Sequence, residues 1–182
     1  MLLYTAGLRL GELLRLQVED VEDEGSVLQI RESKFHKSRL VPLAESAQAE
    51  VRRYLKERAQ FARRSLDRGP FLCHVRRTEV RRYSAPGFRS LILKLFALAD
   101  IHDCEGRVPR LHDLRHSFAV HSLIQSYRDG GDPQAALPKL ALYLGHVSIE
   151  STMHYLKLVP TIAALASARF DATFGHLFGE QL

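Results

Sequence analysis

Tyr155 stands nine residues after His146 in the run LGHVSIESTMHYLKL, where a phenol is a candidate nucleophile toward a phosphodiester. Attack by a tyrosine oxygen concentrates negative charge on the non-bridging phosphate oxygens, so the chemistry needs preorganised cations. Four candidates precede it: Arg9 in GLRLGELLRL, Lys34 in ESKFHKSRLVPL, and His112 with Arg115 in LHDLRHSFAV. Arginine suits the phosphate best, because its planar fork donates bidentately and stays charged at any working pH. Free tyrosine has a pKa of about 10, so near neutrality it needs a base or a strong cationic field before it attacks. The alkoxide that leaves needs a proton, which a lysine with its pKa lowered by neighbouring cations can supply.

Arg9 and Arg115 are more than a hundred residues apart, so only the fold can bring them together. The first six residues read as the end of a helix stopped at Gly7, and Leu10, Leu13, Leu14 and Leu16 follow at helical spacing. After an acidic stretch with Gly25 as its turn, VLQIRES and SRLVPL predict an antiparallel hairpin with its tip near Phe35 and His36. Long helices are predicted from Glu45 to about Leu66, from about Gly87 to Ile101 and from Leu111 to Gln125. FLCHV reads as a short extended piece, and residues 74–85 are too basic and polar to place. The segment from Ser126 to Pro138, with two glycines and two prolines, predicts a loop holding at most one helical turn. Helical pattern resumes at 139–143 until Gly145. Ser148 is a fitting N-cap for a helix carrying Tyr155, Pro160 closes it, and an apolar tail helix covers 161–182. The fold class is therefore mainly α with a small antiparallel β-sheet (α+β).

The 182 residues, 46% of them hydrophobic, can bury a core, and no apolar run approaches a membrane span. The net charge of +5 conceals an asymmetry: residues 31–94 hold 17 Lys and Arg against 6 Asp and Glu. Such a basic centre points to a polyanion, with nucleic acid the first partner to consider. Part of that charge, on Arg52, Arg53, Lys56, Arg58, Arg63 and Arg64, reads equally well as the solvated side of a helix. Cys73 and Cys104 have neither zinc nor disulfide-framework spacing. His112 and His116 share a helix face at i and i+4 but lack further ligands nearby, so no metal is expected.

GLRLGELL, SK before KSRLVPL, HDLRHSFA, LGH and a tyrosine nine residues on occur in one order, and that order resembles the tyrosine recombinase, or phage integrase, family over residues 1–160. The resemblance implies the catalytic-domain fold of that family, with Tyr155 as nucleophile and Arg9 and Arg115 on the scissile phosphate. His112 resembles the family's general acid/base, Lys34 the donor of the leaving-group proton, and His146 the second histidine on the phosphate. Lys37 competes with Lys34, which the SK spacing favours; Tyr143 and Tyr127 compete with Tyr155, which alone has the LGH spacing. Glu12 and Asp113 are expected to support these groups from behind. Lys37, Arg39, Arg76, Arg77, Arg81 and Arg82 are candidates for contact with the DNA backbone.

The implied activity is site-specific recombination or integration through a 3′-phosphotyrosyl intermediate, with no metal, ATP or other cofactor. The alternatives are type IB topoisomerase-like relaxation or a truncated DNA-binding remnant that does not recombine. The implied partners are double-stranded DNA and further copies of the chain, a tetramer assembled through the tail at 161–182, with no membrane and a cytoplasmic location. The family's N-terminal DNA-clamping domain is expected to be absent, leaving 1–182 as catalytic domain with a clipped first helix.

Overall fold

The computed structural model of the protein describes residues 1–31, 38–61, 68–77, 79–103 and 105–146. Lys34, Lys37, Cys104, Tyr155 and the predicted tail helix lie outside these. Helices α1 (Leu2–Thr5) and α2 (Leu10–Arg15) lead into strands β1 (Val21–Glu22), β2 (Val27–Ile30) and β3 (Arg39–Pro42). Helix α3 (Glu45–Phe61), strands β4 (Cys73–Arg76) and β5 (Glu79–Arg82), and helices α4 (Ala85–Leu98), α5 (Leu111–Arg128) and α6 (Pro133–Leu144) follow. The chain divides into two compact units, Met1–Phe118 and Ala119–Leu182, with the boundary inside α5.

In the first unit, β2 is the centre of an antiparallel sheet ordered β1-β2-β3. The predicted hairpin is present, with Leu28 opposite Val41 and Ile30 opposite Arg39. Leu28, Ile30 and Val41 are buried, so the alternation that defines a half-buried strand sends Arg39 to the inner face and Leu40 outward. The acidic stretch adds what sequence reading did not assign, strand β1, paired through Val21 with Leu28.

Helix α3 begins where predicted, and its basic face is not uniformly solvated. Arg58 is 1% exposed, and its guanidinium donates to the carbonyls of Pro70 (3.1 Å) and Arg68 (3.3 Å), closing the chain back on the helix. Tyr54 does the same to the Phe71 carbonyl at 2.8 Å, and burial pushes its phenol pKa up to about 12. Arg53 matches expectation: exposed, it pairs with Glu50 and Glu57 at i−3 and i+4.

Residues 73–82, unassignable beyond an extended FLCHV, form a two-stranded hairpin with Val75 opposite Val80. Among the described residues of this ribbon only Cys73 is buried, so no apolar face marks it in the sequence. Ser84 is the N-cap of helix α4: its hydroxyl accepts from the Gly87 N–H at 3.2 Å, and Pro86 lies in the first turn. Ser84→Ala is expected to cost about 1 kcal/mol through the lost cap, read as a lower urea midpoint at unchanged slope.

The second unit corrects the loop predicted up to Pro138, because α6 starts at Pro133 and runs through Pro138. Proline fits the first helical position, where its missing N–H is an orphan in any case. Inside the helix Pro138 removes one bond, but Leu137, Leu140, Ala141 and Leu144 are buried at helical spacing and outweigh that loss.

Candidate active site

Arg9 is the N-cap of α2, with extended backbone angles, and it follows Gly7 at φ +58°. That left-handed turn favours glycine and stops α1 before the chain re-enters a helix. The first turn is then closed by Glu12, whose Oε2 accepts from the Arg9 N–H at 2.9 Å and whose Oε1 accepts from the Arg9 guanidinium at 2.8 Å. Glu12 has a side chain only 1% exposed, so its charge requires partners.

They come from three elements. Arg39 on β3 donates to both carboxylate oxygens, at 2.9 and 3.0 Å. Arg115 on α5 stands 4.0 Å from Oε2, and its guanidinium also donates to the Gly7 carbonyl. Burial alone would raise the Glu12 pKa; the hydrogen bonds from Arg39 and Arg9 overcome it and hold the carboxyl at about 2. The ends of the first unit are thus joined on one carboxylate, and Arg9 and Arg115 are neighbours despite their separation in the chain.

Arg115 is 1% exposed in a helix stripe whose other members, Leu111, Ala119 and Leu123, are apolar and buried. His112, one turn earlier, faces solvent and makes an edge-on ring contact with His116, centroids 4.4 Å apart. Partial burial, and after it the Arg115 charge, lower the His112 pKa below the ordinary imidazole value. A neutral imidazole is therefore favoured near pH 7, the form that accepts a proton. Asp113 is turned to Arg110, accepting from its N–H at 2.8 Å and its guanidinium at 3.0 Å. A cavity of about 650 Å³ opens beside His112, with Leu8, Leu10, Arg89, Leu93, Arg110 and His116 among its walls. Among the described residues no group of three or more His, Cys, Asp or Glu is arranged to hold a metal.

His146, in the second unit, sits just past the end of α6. Gly145, at φ +67°, donates to the Leu142 carbonyl and His146 N–H to that of Ala141, the paired bonds of a Schellman ending. The LGH tripeptide is thus a helix stop that sets where His146 leaves the helix. Arg76, Arg77, Arg81 and Arg82 are exposed on the β4–β5 hairpin, with Arg81 paired to Glu79. Arg39 differs from them, since its side chain is 12% exposed and clamped on Glu12. Its burial, though not its partner, has a sequence signal in the strand alternation, which puts Arg39 on the same face as Val41.

The architecture is that of a tyrosine recombinase catalytic domain. The crystal structure of the XerA recombinase matches it with a TM-score of 0.71 and 26% identity, over 94% of this chain and 54% of that one. The chain belongs to the phage integrase family, whose sequence pattern matches residues 1–161. A candidate integrase/recombinase of Sinorhizobium fredii is 38% identical over 93% of this chain and 54% of its own length. Tyrosine recombinase XerA of Pyrococcus horikoshii is 32% identical over 87% of this chain and 48% of its own. The chain thus spans about half the length of the curated relatives it matches. The fold is shared by XerH bound to its difH substrate, at a TM-score of 0.60 and 20% identity over 85% of this chain and 39% of that one. Among the described residues no helix is long and apolar enough to cross a membrane.

Proposed function

We propose that this chain cuts and rejoins DNA as the catalytic part of a site-specific recombinase. The observation that carries the reading is the gathering of Arg9 and Arg115 on the single buried carboxylate of Glu12. Two guanidiniums held together are what a phosphodiester needs as charge accumulates on its oxygens. In this reading the Tyr155 oxygen attacks phosphorus, the bond to the 5′-oxygen breaks, and that oxygen takes a proton from Lys34. His112, favoured neutral, accepts the phenol proton, and His146 hydrogen-bonds the phosphate. Attack by a 5′-hydroxyl on the phosphotyrosine reverses each step and rejoins the strand, so the bond energy is conserved without ATP. Lys37 and the exposed arginines Arg76, Arg77, Arg81 and Arg82 contact the DNA backbone, which positions a duplex without reading its bases. The tail at 161–182 joins copies of the chain on DNA.

Incubation with a nicked duplex that traps the cleaved state is expected to yield a covalent protein–DNA adduct, abolished in Tyr155→Phe. A folded protein that binds its site and gives no adduct would refute the assignment. Plasmid relaxation without exchange between two sites would place the activity with type IB topoisomerases.

A further inference from the structure

Arg39 has the residue type of a DNA-backbone contact and the surroundings of something else. Its side chain is 12% exposed, on the inner face of β3 opposite Ile30. Both terminal nitrogens are directed at Glu12, one to each oxygen, in the fork-to-fork geometry that is the strongest guanidinium–carboxylate arrangement. Arg9 shares Oε1 with it, and Arg115 lies 4.0 Å from Oε2. Arg39 is therefore the group that fixes the plane of a carboxylate on which both phosphate-binding arginines depend.

Charge gives a second reason for a third arginine. One carboxylate between Arg9 and Arg115 alone would cancel half their charge just where a phosphate must be held. With Arg39 added, the one carboxylate is shared, among the described residues, by three guanidiniums instead of two. A phosphodiester under attack by a tyrosinate carries two negative charges, and added cationic charge beside it favours that state over the singly charged ground state.

We propose that Arg39 is a positioning residue for strand cleavage: it orients the Glu12 carboxylate and supplies counter-charge to it, so that the carboxylate holds Arg9 and Arg115 in place for the phosphate. This rests on the reading of Arg9 and Arg115 as phosphate ligands. Among the described residues, the groups facing Glu12 are Arg9 on its own helix cap, Arg39 on β3 and Arg115 on α5.

Two measurements on the whole chain test it. In single-turnover cleavage at saturating DNA, Arg39→Met is expected to slow adduct formation by about 10- to 100-fold, the range typical when the support of an active-site ligand is lost. DNA affinity and its salt dependence stay at wild-type values, and Arg39→Lys, which keeps the charge but not the fork, falls between. A direct phosphate contact gives the opposite pattern, a salt slope lower by about 1 with the cleavage rate intact, and that result would overturn the proposal. The second measurement needs no activity. Without DNA, Arg39→Met is expected to raise the pH of acid unfolding, and adding Glu12→Gln to recover much of that shift, because the stranded carboxylate is gone. Should Arg39→Met not fold, Arg39→Lys replaces it in the same cycle. Additive effects of the two substitutions would also overturn the proposal. A wild-type chain that forms no adduct counts against the proposed function instead, and the unfolding cycle still decides whether Arg39 holds Glu12.

Discussion

Arg115→Lys is expected to lower single-turnover strand cleavage by about 100- to 1,000-fold, the cost of losing one preorganised donor to a developing oxyanion, while DNA affinity changes little. The substitution keeps a positive charge at a position 1% exposed, so the loss is one of geometry. Arg115 donates to the Gly7 carbonyl and stands 4.0 Å from Glu12, and the planar fork of a guanidinium serves several acceptors in fixed directions. An ammonium on a flexible stem is a point charge that cannot keep three directions at once. Arg115→Met is harsher, because it also strips a buried carbonyl of its donor, at about 1–3 kcal/mol. The check is the rate of adduct formation beside a binding isotherm for each variant. If the lysine variant cleaves within about threefold of wild type, well short of that donor-loss range, the buried guanidinium is a structural pin and the phosphate role of Arg115 falls.

What could be read in the sequence was what repeats locally. Leu10, Leu13 and Leu14 announced α2, the alternation in VLQI and RLVP announced the hairpin, and HDLRH placed a histidine and an arginine one turn apart. The meeting of Arg9 with Arg115 was legible only through the family resemblance, since no spacing connects residues on separate elements. Glu12 could be assigned to Arg9 at i, i+3, but its link to Arg39 crosses from helix to sheet and has no sequence signature. The pairing that buries Arg39 and Arg58 has no mark in the sequence, for one reason. Arginine is almost never fully buried unless paired, and here the pairing partners, Glu12 for one and the Pro70 carbonyl for the other, are distant in the chain. Pro138 is the opposite case: its type signals a break, but the buried stripe Leu137, Leu140, Ala141 and Leu144 around it carries the helix through.

Glu12→Ala is expected to destabilise the fold by about 3–5 kcal/mol at pH 7, the cost of breaking a buried ion pair by removing one partner. The carboxylate is the common counter-ion of Arg9, Arg39 and Arg115 and also closes the first turn of α2, so its loss leaves three guanidiniums crowded and an N-terminal N–H unmet. The pH dependence has a fixed sign. The folded pKa of about 2 lies below the ordinary 4.5, so Glu12 contributes its stability in full above pH 4.5 and loses it as pH falls through 2. That interval corresponds to about 3 kcal/mol. The gap between wild type and Glu12→Gln, measured by urea unfolding, should be constant from neutrality down to about pH 5, as the linkage relation requires, and then narrow steadily toward pH 2. Sulfate separates this account from a mere packing defect. An anion that enters the vacated place stabilises the folded form by mass action, so it should restore more stability to Glu12→Ala than it adds to wild type. A gap that does not change with pH, or equal responses to sulfate, would mean that Glu12 fills space rather than balances charge, and the cluster would lose its claim to be built around a phosphate.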